Sequence, residues 1–203
     1  MNTTRTTRRV VLAVGAALLM AALFAAAAFA VSSTSFKMVR SQSAVDNTCL
    51  KKASANVTIR TVAGIQVMDV TLKGMPKNNA FALWILQKPN APFGVSWNQG
   101  DIDTNSKGYG KTRVAGIFSE ETHAFSAGKV RAPQVDEQDA AYGPEFFPVH
   151  TFHVGVWFSD PKQAKKAGCS GTLTPFDGDH EAGIQALSTQ NFSELSGPLR
   201  KIK

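Results

Sequence analysis

From Ala53 to Gln87 the chain alternates between apolar and polar residues, and few folds are open to a chain that does so. In "ANVTIRTV" Val57, Ile59 and Thr61 stand against polar neighbours, and in "IQVMDVTLKG" Met68, Val70 and Leu72 share a face. "AFALWILQ" repeats the pattern with Phe81, Leu83 and Ile85. Successive strand side chains point to opposite sheet faces, so a period of two marks strands with one buried face. "KGMPKNN", before the last of these, supplies the Gly, Pro and paired Asn that turn a chain. Further strands are expected over 110–118 and 148–158, with one more in the remainder after residue 170. Short strands of this composition, separated by turn clusters, predict an all-β domain over 53–203. The expected architecture is an antiparallel β-sandwich, immunoglobulin-like or similar.

One short helix is readable in "FSDPKQAKKAGC". Asp160 suits the N-cap, Pro161 the first helical position and Gly168 the C-terminal stop, with lysines in the last turn where they complement the dipole. The helix leads directly to Cys169, which with Cys49 makes the whole cysteine content of the chain. An isolated pair in an exported protein reads as one disulfide, here closing a loop of about 120 residues.

Export is indicated by the first thirty residues. Arg5, Arg8 and Arg9 precede an uncharged apolar run from Val10 to Val31 that ends in "AAFAVSS". A positive head, an apolar middle and small residues at Ala28 and Ala30 are the parts of a secretory signal cleaved after Ala30. The run's 22 residues also suffice for a retained membrane anchor, although ten are alanine. "TRRVVLA" loosely resembles a twin-arginine export signal. Residues 1–30 are therefore a signal peptide or an anchor, and 31–52, polar and aperiodic, reads as a linker. The expected location is extracytoplasmic: secreted, or held on the outer face of the cytoplasmic membrane. Contact with the membrane itself is expected only through residues 10–31, if they are uncleaved.

Charge narrows the partners. The chain has 22 basic and 15 acidic side chains; three arginines and no acids fall in residues 1–30, leaving 19 and 15, a net of +4. The basic residues are scattered apart from Lys162, Lys165, Lys166 and the final "LRKIK". Nucleic-acid binders gather such charge beside stacking aromatics. That pattern is missing here, so a solvated surface and no nucleic-acid partner are expected.

"LKGMPKNNAFALWILQ", "PVHTFHVGVWFSDPKQAKKAGC" and "HEAGIQALSTQNF" resemble segments of exported proteins of actinobacteria and related bacteria that have no assigned activity. The resemblance runs from about Asn56 to Leu199 and implies one exported domain of this size, with no catalytic residues to carry over. "GMPKNNAFALWIL" alone also resembles a strand-turn-strand of the extracytoplasmic domain of membrane-anchored anti-sigma factors. Only nine residues precede the apolar run, too few for cytoplasmic sigma-binding helices, so that role is not expected.

Three constellations could carry chemistry. Asp101, Asp103 and Asn105 have the first spacings of a calcium loop, but Ser106 and Thr112 stand where its glycine and glutamate belong. A hairpin turn fits better, with Asn105 bonding local backbone and Gly108 at positive φ. His150 or His153, which fall on opposite faces of one strand, could join His180 and the acids Asp177, Asp179 and Glu181 of "DGDHE" around copper or zinc, if at least three converge. The alternative is one inward, hydrogen-bonded histidine and a polar loop. Trp97, beside the aperiodic segment 119–147, could sit on an exposed rim and hold an apolar or carbohydrate ligand. No G-x-S-x-G, H-E-x-x-H or P-loop pattern is present, so no enzyme is expected. The expected function is non-catalytic binding of a cell-envelope or extracellular partner, without a cofactor. The alternative is a copper- or zinc-binding extracytoplasmic protein, and calcium is the third metal considered.

Overall fold

The structure is a computed structural model that describes residues 32–116, 118, 125–126, 151–171, 174 and 182–202. The strands are β1 (Ser33–Arg40), β2 (Ser54–Val62), β3 (Ile65–Lys73), β4 (Ala80–Leu86), β5 (Val95–Asp103), β6 (Gly110–Gly116), β7 (Phe125–Ser126), β8 (His153–Phe158) and β9 (Gln185–Ser188). Two short helices, α1 (Gln42–Asp46) and α2 (Pro161–Lys166), and a 3-10 turn (Pro198–Lys201) accompany them.

All strand pairings are antiparallel, in the order β6-β3-β2-β1-β9-β8-β4-β5-β7. β1 belongs to both layers of the sandwich. It pairs with β2 from Ser33 to Met38, then with β9 at Val39 and Arg40. The first sheet is therefore β6-β3-β2-β1 and the second β1-β9-β8-β4-β5-β7. A strand that changes partner makes such a corner without leaving its backbone unpaired. β5 turns into β6, and an isolated Thr104–Gly110 bridge closes the turn between them.

The core lies between the layers, where Phe36, Met38, Val57, Ile59, Met68, Val70 and Leu72 meet Phe81, Leu83, Ile85, Ile102, Val154, Val156 and Phe158. These are the inward residues of the alternating strands. β1 and α1 lie in the segment that the sequence assigns to a linker. Phe36 and Met38 are the only inward apolar pair there, too short a pattern to stand out among serines.

The second sheet departs from simple alternation. β4, β8 and β9 are buried on both faces from Phe81 onward. Their outer side carries a second apolar layer of Ala82, Trp84, Leu86 and Trp157, with Phe93 packed against it. Trp157 meets Phe93 edge-on at 4.9 Å and Trp84 at 6.3 Å between ring centroids. The loop after β4 is fastened over this layer, because Gln185 Nε2 and Ser188 Oγ both donate to the Pro89 carbonyl, at 3.2 and 2.8 Å.

Both helices end in the same closure. Ser41 caps α1 by accepting from Ala44 N at 3.0 Å, and Asp160 caps α2 by accepting from Lys162 N at 2.7 Å. Thr48 and Gly168 take positive φ, and the next residues, Cys49 and Cys169, donate back to Ala44 O and Ala164 O at 3.1 and 2.9 Å. The two cysteines form the disulfide, 120 residues apart in sequence. The loop-entropy model gives such a closure about 4–5 kcal/mol of stabilisation, an upper figure.

Gly155 holds the aromatic layer open. A Cβ there would strike the Trp157 ring and come within 2.8 Å of Leu86 Cδ1 and 2.9 Å of Gln185 Nε2. Gly155→Ala is expected to lower stability by about 1–3 kcal/mol or more. Chemical denaturation monitored by tryptophan fluorescence checks this, and an unchanged midpoint would contradict the packing described.

Candidate interaction surface

The suspected calcium loop is a hairpin turn. Asn105 Oδ1 accepts from Lys107 N at 2.9 Å and Tyr109 N at 3.2 Å, and Gly108 has φ +71°. Asp101 and Asp103 are exposed on β5. The turn locks onto the β3–β4 connection: Thr104 Oγ1 accepts from Asn79 N at 3.0 Å and donates to Pro76 O at 2.6 Å, while Met75 N donates to Gly108 O at 3.1 Å. The oxygens of Asn105 and Thr104 are thus already engaged in holding turns.

His153 is fully buried and both its nitrogens are occupied. Nε2 lies 3.0 Å from the Glu194 carbonyl, which can only accept, so Nε2 carries the proton. Nδ1 then accepts from Thr189 Oγ1 at 2.9 Å. Burial pushes the imidazole below its ordinary pKa, against a smaller upward pull from the carbonyls of Glu194 and its neighbours. No lone pair is left for a metal, and His153 is a tie between β8 and the 189–194 segment. His150, Asp177, Asp179, His180 and Glu181 lie outside the described residues, as does nearly all of 119–147. Among the described residues no group of three or more His, Cys, Asp or Glu could hold a metal ion.

Trp97 corrects the exposed-rim expectation. It is 8% exposed, pairs with Ile85 across β4 and β5, and faces the core. The polar "NQGD" after it reflects a register shift opposite Leu83 and Trp84, and does not mark a binding rim. A cleft of about 240 Å³ beside the disulfide is lined by Lys162, Lys165 and Ser170 and, among the described residues, by no acid.

The first sheet presents a different surface. Residues directly paired across strands share a face, so the register gives its outer side row by row. Lys37, Asn56, Thr71 and Lys111 form one row, and Ser35, Thr58, Asp69 and Arg113 the next. Ser33, Arg60, Val67 and Ala115 form a third, with Lys73 beyond the first row and Val62 and Ile65 beyond the third. Five basic residues and one acid stand on this face, a net of +4, equal to the net charge of the whole chain beyond residue 30. The remaining side chains beyond residue 30 balance.

Asp69 organises the two arginines. Its Oδ1 accepts from Arg113 Nε at 2.6 Å, and its Oδ2 from Arg113 Nη2 at 3.2 Å and Arg60 Nη2 at 2.7 Å. The hydrogen bond from Arg113 is the main influence holding the carboxyl below its ordinary range, and Arg60 adds to it despite partial desolvation. Lys37, Lys73 and Lys111 are exposed, and among the described residues no carboxylate pairs with them. Lys37 and Lys111 close opposite ends of a row about 14 Å wide, three strand spacings. This arrangement suits an extended anionic partner. No aromatic stands on the face, so nothing there stacks a base.

The five basic residues come from four strands spread over residues 37–113, and the strand order brings them onto one face. No family model, curated protein or solved structure matches the chain.

The buried neutral His153 makes stability pH-dependent. Its folded pKa lies below the ordinary 6.5, so its contribution is complete above that pH. It is lost as pH falls from 6.5 toward the folded value, at no more than about 1.4 kcal/mol per pH unit. Asp69 acts in a separate, lower window, contributing above its ordinary 3.8 and losing this as pH falls through its folded value. Denaturation midpoints from pH 7 down to about 5 should therefore fall more steeply for the wild type than for His153→Gln. Parallel curves would contradict a neutral, buried His153.

Proposed function

We propose that this protein is an extracytoplasmic, non-catalytic binding domain whose first sheet docks against an acidic component of the cell envelope. The observation that carries this reading is the outer face of β6-β3-β2-β1, where five basic side chains stand with one acid. Loops usually carry binding on a rigid scaffold; here the scaffold's own face supplies the charge. The extracytoplasmic location is supported by two independent features. One is the basic head and apolar run of residues 5–31, and the other is a disulfide, which persists in oxidising compartments. Among the described residues no helix is long and apolar enough to cross a membrane.

A phosphate- or carboxylate-bearing polymer fits the face by charge and length. Its anionic groups would meet Lys37, Lys73, Lys111 and the Asp69-held arginines, and Ser35, Thr58, Asn56 and Thr71 would supply hydrogen bonds between them. Such binding weakens as salt rises, because fixed charges release their counterions.

Inorganic polyphosphate serves as the probe. Wild-type protein is expected to bind it with steep salt dependence. Reversal of three face lysines (Lys37→Glu, Lys73→Glu, Lys111→Glu) should weaken binding by roughly tenfold or more. Reversal of the helix cluster (Lys162→Glu, Lys165→Glu, Lys166→Glu) changes net charge equally and should leave most of the binding intact. Equal losses in the two variants, with both still folded, would overturn the assignment to the first sheet.

A further inference from the structure

The hairpin between β2 and β3 has an apolar tip. Val62 and Ile65 pair directly, and the two residues between them are Ala63 and Gly64. Their φ angles are +50° and +80°, the left-handed pair that two-residue hairpins use. Such turns favour Asn, Asp or Gly at the first position, because a side-chain Cβ is crowded there and only a local polar side chain compensates. Alanine does neither, so the sequence retains an apolar residue where a polar one would relax the turn. Val62 and Ile65 are 50% and 54% exposed, and Ala63 and Gly64 are exposed between them. Four consecutive residues at the end of a charged sheet thus offer water no polar side chain.

Two neighbours say what covers this tip. Thr61 N donates to Ser32 O at 3.2 Å, and Ser33 pairs with Arg60. The chain therefore enters the domain beside the tip, and the residue before Ser32 is Val31, the last of the apolar run from Val10. The 3-10 turn also reaches this end, since Thr34 Oγ1 donates to Lys201 O at 3.1 Å and Thr34 pairs with Ile59, about 10 Å along β2 from Val62. Arg200 and Lys201 are exposed there, and Arg60 flanks the tip on the sheet face.

We propose that this end of the domain rests on an anionic lipid surface, with Val62, Ala63 and Ile65 entering the headgroup boundary and Arg200 and Lys201 meeting the lipid phosphates. Apolar insertion combined with basic flanking is how a small surface gains lipid affinity, each term being weak alone. The proposal rests on the extracytoplasmic location proposed above, and it leaves the lysines of the first sheet open to an envelope polymer.

All the described strands and their core lie within one unit, Ser32–Lys203, so the domain without the apolar run is the right material for a lipid test. This fragment should co-sediment with vesicles of phosphatidylglycerol and phosphatidylcholine, and much less with phosphatidylcholine alone. The uncharged pair Val62→Ser and Ile65→Ser should lower vesicle partitioning roughly tenfold or more while polyphosphate binding, which depends on the charge of the sheet face, stays near wild type. Ala63→Asn supplies a second test that a folding defect cannot imitate, since it should raise thermal stability while weakening vesicle binding. Wild-type binding to neither vesicle, or serine variants that sediment as well as wild type, would overturn the proposal. That outcome would leave the polyphosphate result, and so the reading of the sheet face, untouched. N-terminal sequencing of the exported protein separately tests whether residues 10–31 are retained.

Discussion

The arrangement depends on the packing of Trp157 between Trp84, Leu86 and Phe93 on the outer side of the second sheet. A sandwich layer ordinarily shows one face to its partner and the other to water. This apolar layer removes β4, β8 and β9 from solvent on both sides, and Gly155 exists to leave room for it. Gln185 and Ser188 both donate to a single backbone group, the Pro89 carbonyl, which also holds the loop in place. With β4, β8 and β9 closed on both faces, a broad strand surface left to water is the outer side of β6-β3-β2-β1. Five basic side chains and one acid stand there.

The corner at β1 makes that division consistent. One strand serves both layers, so the first sheet cannot shift against the second without breaking either the pairing with β2 or the short pairing with β9. The disulfide acts at the same end of β1. It ties the turn after α1 to the turn after α2, each closed by a positive-φ residue and a backbone bond back to a buried alanine. Rigidity on this scale suits a domain that works by presenting a surface.

Much of the scaffold was legible in the sequence. The alternation of β2, β3 and the inward half of β4, the Asn105–Gly108 turn, the Asp160 cap and the Cys49–Cys169 pair are local signals or follow from composition. What escaped is non-local. β1 has only Phe36 and Met38 to announce it, and Trp97 looked exposed because its polar neighbours belong to a register shift. "AFALWIL" alternates for one face and is apolar on the other, so a period of two could not foresee a second buried layer. The basic face was read as scattered charge, since Lys37 and Arg113 are far apart in the chain. Register, and not spacing, places Lys37 in one row with Lys111 and Arg113 in the adjoining row.

The central claim, that the outer face of the first sheet is where an acidic partner docks, is tested most directly by a backbone amide NMR titration of the 32–203 domain with inorganic polyphosphate. The account predicts that the largest shift changes fall on β1, β2, β3 and β6 around Lys37, Arg60, Asp69, Lys111 and Arg113. Changes centred on Lys162–Lys166 or on the 87–94 loop, with the first sheet silent, would contradict it.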